Sequence, residues 1–317
     1  MAQSHDAMIE SDSLTIDSPT GASLNLYRTV PTEPRAVILV FHGLAEHAGR
    51  YRAFAEALAV EGFAVFAHDH RGHGSTTARD APFRRFARHD GMDAVLRDCR
   101  YVLDYARGTY PDVPIFVFGH SMGGLVAMNF AQRHGDGLAG LAVWNSDLRG
   151  GWQTKAGLFG LGIEKFFKGS DVASMLSRRL VFEPWEKSIK NRRRDQDWLS
   201  HDPDAVDAFA EDPLCGFTPT VSMMEDVVAM VRMGGSKEAI ARLPKGLPIH
   251  LLGGSEDPAT EGGKALSWLK ARLESQGLSK VTLTIVEGAR HETFHETKAM
   301  REPAVRGFIS WLNQQVG

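Results

Sequence analysis

The stretch that most restricts what this chain can fold into is PIFVFGHSMGG, residues 114–124, which runs straight into LVAMNFAQRHG. PIFVF is a continuous apolar run ended by glycine and polar residues, the pattern of a strand buried on both faces of a parallel sheet. GGLVAMNFAQRHG has helical spacing and stops at a glycine. Strand must become helix across GHSMG, and a turn that sharp leaves no room for bulky neighbours. Gly119 and Gly123 therefore flank Ser121.

The remaining elements fit such a sheet. SLTIDS and SLNLYRTV, joined through TGA, predict a β-hairpin. AVILVFHG (36–43), FAVFAHDH (63–70), LAGLAVWNSD (138–147), PIHLLGG (248–254) and VTLTIVEG (281–288) predict further strands. RYRAFAEALAVEG, GMDAVLRDCRYVLDYARG, KALSWLKARLES and AVRGFISWLNQQV predict helices between and after them. Strand–helix alternation implies an α/β fold, a mostly parallel sheet with helices on both faces. The alternation stops between the strands at 138–147 and 248–254. A crossover needs only a dozen or so residues, so the intervening chain is expected to be an inserted helical cap. The expected organisation is core at 1–148, cap at 149–246 and core again at 247–317.

A serine at the strand-to-helix turn has its hydroxyl lifted above the sheet and faces the amides that begin the next helix. That is the geometry of a nucleophile, and a serine hydroxyl needs a base to take its proton. The motif calls for an acid and then a histidine in loops after later strands. SEDP follows PIHLLGG and offers Glu256 and Asp257. ARHE follows VTLTIVEG and offers His291, and His295 lies four residues on. Asp257 and His291 are expected to complete the triad, with His295 structural or at the pocket edge. The oxyanion needs two amide donors: Met122, next to the nucleophile, and Leu44, in the loop that Gly43 allows to turn back over the site.

His291, Glu292 and His295 also spell H-E-x-x-H, which on a helix would aim two imidazoles at one zinc ion. The segment follows a strand and a glycine, however. Lys298 and Arg301 stand where an extended zinc motif has glycine and histidine, so no third ligand is in place. No metal and no cofactor are expected. HDHRGHG (68–74) packs three histidines without cysteines or ligand spacing and is expected to be a tight loop.

A net charge of -3 over 317 residues argues against a nucleic-acid partner. The basic run NRRRD (191–195) lies among acids and is expected on a solvated helix face. Cys99 and Cys215 cannot make a disulfide framework. The polar, acid-bearing start is not a secretory signal, and no stretch has the apolar length of a membrane span. A cytoplasmic enzyme with a small-molecule substrate is expected; the oligomeric state is not readable.

The ordered set HGLAEHAGRY, DHRGHGS, GHSMGG, DPLCGF, GGSED and GARHE resembles the monoglyceride lipase and lysophospholipase branch of the α/β-hydrolases, the serine aminopeptidase S33-like hydrolases. The resemblance runs from about residue 13 to the C-terminus. It implies Ser121, Asp257 and His291 as the triad and Leu44 and Met122 as oxyanion donors. It implies that Glu46 and Arg50 lie near the glycerol end of a substrate pocket and that Asp69 and Arg71 tie down the loop beside the site. A lipid monoester is the implied substrate, with peripheral membrane contact through the cap. The cap departs from the pattern in its charged run EKSIKNRRRD. Its Trp152, Phe159, Phe166, Phe167, Trp185, Met223 and Met224 either fill the cap core or line an acyl pocket. A small-ester esterase, an amidase or peptidase, and a non-catalytic ligand-binding relative remain alternatives on the same frame.

Overall fold

The computed structural model describes residues 9–316, so the polar start at 1–8 lies outside the described residues. The chain opens with an antiparallel hairpin, β1 (Ile9–Asp17) and β2 (Ala22–Pro31), in register from Ile9 opposite Pro31 to Asp17 opposite Ser23. There follow β3 (Ala36–Phe41), α1 (Arg52–Val60), β4 (Phe63–His68), the two-residue β5 (Thr77–Ala78), α2 (Gly91–Thr109), β6 (Ile115–His120), α3 (Met122–His134) and β7 (Gly140–Trp144). The chain then leaves the sheet for α4 (Trp152–Lys168), α5 (Met175–Ser177), α6 (Glu183–Ser188), α7 (Pro203–Glu211), α8 (Val221–Gly234) and α9 (Lys237–Ile240). It returns as β8 (Ile249–Gly254), α10 (Lys264–Glu274), β9 (Val281–Val286) and α11 (Lys298–Val316).

Among the described residues these strands form one sheet in the order β1-β2-β4-β3-β6-β7-β8-β9, with β5 beside β2. Pairing is antiparallel at the β1, β2 and β4 end and parallel from β4 through β9. The apolar runs explain this: every residue of β3, β4, β6, β7 and β8 is buried. Their side chains alternate between two cores. Val37, Leu39, Phe41 and Val117 face α2, α3 and α10, whereas Ile38, Val40, Phe116 and Trp144 face α1 and α11. The fold is the α/β-hydrolase arrangement, and its central strands end at one edge, where ligands bind in open α/β sheets.

Helix α8 lies against α3, held by Asn129 Nδ2 donating to the Met230 carbonyl (2.9 Å) and Gln132 Nε2 to that of Gly234 (2.7 Å). The segment between β7 and β8 is thereby fixed onto the helix that begins at Met122. Two expectations are corrected in this region. NRRRD does not lie on a helix face. It occupies a turn ahead of a short 3-10 turn at Asp195–Trp198, where Arg193 and Arg194 pair with Asp207, and Arg194 also with Glu211. Trp152, Phe159, Phe166 and Phe167 neither fill a core nor line a cavity; all are at least 74% exposed. Met223 and Met224 are buried as expected of core residues.

Candidate active site

Ser121 sits between β6 and α3 with φ 55° and ψ -119°, a backbone conformation that side-chain-bearing residues rarely adopt. Residues held so cost about 1–3 kcal/mol and cluster at functional sites. The flanking glycines are sterically obligatory. A Cβ on Gly119 would lie 2.1 Å from the Gly123 carbonyl oxygen, and one on Gly123 would lie 1.9 Å from that of Phe41. The Ser121 amide donates to the Trp144 carbonyl (2.9 Å), fastening the turn to the end of β7.

The two later loops meet this turn. His291 Nε2 is 2.9 Å from Ser121 Oγ, and His291 Nδ1 is 3.0 Å from Asp257 Oδ1. Asp257 is wholly buried and holds no proton to donate, so Nδ1 carries the hydrogen and Nε2 is free to accept from the serine. Asp257 also accepts from the Ala259 amide (2.9 Å), Thr260 Oγ1 (2.8 Å) and Asn145 Nδ2 (3.1 Å). Burial pushes the Asp257 carboxyl up, but His291 and these hydrogen bonds outweigh it and leave the carboxyl below its ordinary value. For His291 burial favours the neutral ring; the Asp257 and Glu292 charges outweigh that and raise it above the ordinary histidine value.

The loop after β3 lines the same cavity as Ser121. His42 Nε2 accepts from the His70 amide (2.9 Å) and its Nδ1 donates to the Gly43 carbonyl (2.7 Å). Burial lowers the His42 imidazole to about 4, so this neutral tautomer persists at physiological pH. Leu44 and Met122 both line the cavity beside Ser121. The Met122 amide opens α3, where the first amides have no carbonyl partner in their own helix.

Ser121 and His291 open into a cavity of about 690 Å³. Its lining includes the apolar Leu125, Phe217, Met224, Val227, Val231 and Trp268 and the aromatic Phe182, Trp185 and Trp198. The Trp198 ring lies 4.9 Å from that of His291. Polar groups meet at the rim, where Arg149 pairs with Asp147 and Glu261.

Other residues singled out in the sequence lie around this site. Glu256 is exposed and faces His201 at 3.3 Å, leaving Asp257 alone in the site. The H-E-x-x-H segment is not an α-helix; Thr293–His295 makes a single 3-10 turn. Both nitrogens of His291 are engaged, and Glu292 is gripped by Arg50. Burial lowers the His295 imidazole to about 4. Glu46 reaches the cavity wall, but Arg50 is not among the residues that line it. Asp69 accepts from the amides of Ala48 (2.8 Å) and Ser75 (2.9 Å), and Arg71 donates to Asp98 (2.7 Å).

Among the described residues, two groups of three potential metal ligands occur away from Ser121, His291 and Asp257. His68, His70 and Cys99 are wholly buried, and His47 lies with Asp212 and Cys215 beside the loop after β3. The first was not legible because Cys99 comes from α2, far along the chain from the histidine loop. Burial lowers both imidazoles and raises the Cys99 thiol well above its ordinary value, holding all three neutral. In the second, His47 Nε2 already donates to Asp212 (2.9 Å) and Nδ1 accepts from the Gly49 amide (3.2 Å). Asn145, Thr260, His120 and Trp198 were also missed. Only Asn145 left a signal, as a polar residue directly after a buried strand.

The family model described as serine aminopeptidase S33 matches residues 32–298. The chain belongs to that family. It is a serine hydrolase. The monoglyceride lipase of Mus musculus is 27% identical over 283 residues, 89% of this chain and 84% of that protein. The monoacylglycerol lipase of Mycolicibacterium smegmatis is 26% identical over 284 residues, 90% of each chain. Among solved structures, a thermostable carboxyl esterase from Bacillus coagulans in complex with glycerol superposes with a TM-score of 0.82 at 26% identity, covering 98% of this chain and 100% of that one.

Proposed function

We propose that the chain is a serine carboxylic-ester hydrolase of lipid monoesters, a monoacylglycerol or lysophospholipid, working through Ser121, His291 and Asp257. The observation that carries this reading is the unbroken Ser121–His291–Asp257 hydrogen-bond chain beside a mainly apolar cavity of about 690 Å³. His291 Nε2 takes the hydroxyl proton as Ser121 Oγ bonds to the ester carbonyl carbon. Asp257 holds the imidazolium that forms. The carbonyl oxygen, now an anion, accepts from the Leu44 and Met122 amides. The C–O bond to the alcohol breaks, and the alcohol leaves with the proton from His291. A water then gives its proton to His291 and attacks the acyl-enzyme, releasing the acid and restoring Ser121.

Residues 149–246 act as a cap over the core formed by 1–148 and 247–317, and α8 supplies the acyl wall through Met224, Val227 and Val231. Buried methylenes contribute about 0.8 kcal/mol each. Half of that over six methylenes is about 2.4 kcal/mol, roughly fiftyfold in rate. The test is kcat/KM for p-nitrophenyl esters from two carbons upward: it rises to at least eight carbons. A profile that peaks at acetate and falls from there favours the small-ester esterase and rejects the lipid reading.

The exposed Trp152, Phe159, Phe166 and Phe167 of α4, on a helix that also carries Lys155, Lys165 and Lys168, support contact of the cap with a lipid surface. Among the described residues no helix is long and apolar enough to cross a membrane. Sedimentation with anionic vesicles tests the contact: the chain pellets with them, and a Phe166→Ser/Phe167→Ser variant pellets less while turning over p-nitrophenyl butyrate normally.

A further inference from the structure

The segment between β7 and β8 is laced to the loop that carries the base. The His291 amide donates to the Trp198 carbonyl (3.4 Å) and the Glu292 amide to that of Leu199 (2.7 Å). Arg290 Nη1 donates to the carbonyls of Asp197 (2.7 Å) and Ser200 (3.0 Å), and Ser200 Oγ donates to that of His295 (2.9 Å). The wholly buried Glu296 closes the strap, accepting from the His201 amide (3.0 Å) and from the Arg290 amide (2.8 Å). Residues 197–201 are thereby fixed along 290–296.

This lacing sets one side chain against the imidazole. The half-buried Trp198 ring is centred 4.9 Å from that of His291, and the Trp185 ring is 5.0 Å from Trp198 and 6.4 Å from His291. Both imidazole nitrogens are engaged, by Ser121 and Asp257, so Trp198 acts on His291 through its ring. An indole face attracts a cation within about 6 Å of its centre, more strongly where water is excluded. Among the described residues no lysine or arginine lies over the Trp198 ring; the cation–ring contacts are made at other rings. His291 is neutral before it takes the Ser121 proton and positive afterwards. The attraction therefore grows as the proton moves, and an interaction stronger in the transition state than before it is what accelerates a reaction. A further carboxylate in that place would hold the imidazole protonated at rest and disable it as a base.

We propose that Trp198 is a positioning residue for the base: its ring, held by the strap at 197–201, supports His291 as an imidazolium and keeps it aimed at Ser121. The inference rests on the triad reading above. The charged and titratable groups around His291 are Asp257; Glu292 and Glu46 with Arg50; His120; Arg290; Glu186 with Arg178, beside Trp185; and Asp197 and His201 on the strap. Substitution at 198 alters none of them. Trp198→Phe and Trp198→Leu both shorten the side chain and uncover His291, so the difference between them isolates the ring. On p-nitrophenyl butyrate, kcat of Trp198→Leu falls roughly three- to thirtyfold, Trp198→Phe recovers most of the loss, and KM shifts less than about threefold in either. Without the ring the imidazolium gives up its proton at lower pH, so the acid limb of kcat/KM lies about half a pH unit or more lower in Trp198→Leu than in Trp198→Phe. A residue that only fills space would lower the melting points and leave the two acid limbs superimposed. Coincident limbs, or equal kcat in the folded Leu and Phe variants, overturns the proposal. Should Trp198→Leu not fold, Trp198→Met against Trp198→Phe decides by the same criteria. Ser121→Ala is run alongside: if it retains turnover the triad reading has failed, whereas an inert Ser121→Ala beside matching Leu and Phe variants overturns the role of Trp198 alone.

Discussion

Replacing Gly123 with alanine puts the smallest side chain at the tightest place in the site. The added Cβ would meet the Phe41 carbonyl oxygen at 1.9 Å and that of His42 at 2.7 Å, both backbone atoms of the strand that leads into the Leu44 loop. No rotamer relieves such a contact. To restore even a short van der Waals approach, the start of α3 must retreat about 1 Å from the end of β3, and a misplacement of that size can cost about a hundredfold in rate. The retreat separates the Met122 amide from the Leu44 amide and draws Ser121 away from His291. Overpacking of this kind costs about 1–3 kcal/mol of stability. The expected outcome is a folded protein with a lowered melting point and kcat on p-nitrophenyl butyrate reduced by about two orders of magnitude. Gly108→Ala is the control. It is in α2 with nothing within 4 Å of the added Cβ, so activity is unchanged and stability rises slightly. Wild-type kcat in folded Gly123→Ala would refute the claim that this junction holds the two amides in place.

Three further outcomes follow from the same geometry. His291→Ala lowers kcat by a factor on the order of 10⁶, while His295→Ala, one turn away and bonded to neither Ser121 nor Asp257, costs less than about tenfold; equal losses would mean that the histidine loop is in the wrong register. Asp257→Asn lowers kcat by about 10⁴-fold with little change in KM, because the amide no longer selects the tautomer with Nδ1 protonated; a loss under tenfold would contradict the bond at 3.0 Å. His291 must be neutral to act as base, and its pKa is raised above the ordinary value near 6.5. Activity is therefore present above that raised pKa and lost as the pH falls through it, so the acid limb of kcat/KM has its midpoint above about 6.5; a midpoint below 6 would contradict the charged surroundings.

How much of this could be read from the sequence depended on how local the cause was. The buried strands were legible because β3 and β7 are apolar throughout, and β4, β6 and β8 are apolar apart from the single histidines His68, His120 and His250. The turn at Ser121 was legible because two glycines had to flank it, and Asp257 and His291 because each stands just beyond the strand that delivers it. What escaped was set by pairing across the chain. Arg50 and Glu292 are 242 positions apart, and neither residue shows in its own surroundings that it will be buried with the other. His68 and Cys99 meet, at 3.9 Å, only because α2 lies against the end of β4. The exposed aromatics of α4 misled for the opposite reason. Helical spacing shows that a face is apolar but not whether the fold supplies anything to cover it, and here it does not.

The claim on which the rest depends is that Ser121 is the nucleophile. Its most direct measurement is titration of the intact chain with a fluorophosphonate, following ester turnover and the mass of the peptide that contains residue 121. The expected result is one adduct per chain, on Ser121, with turnover falling in proportion to labelling, and neither label nor turnover in Ser121→Ala. An adduct on another residue, or a fully labelled chain that still hydrolyses ester, would contradict it.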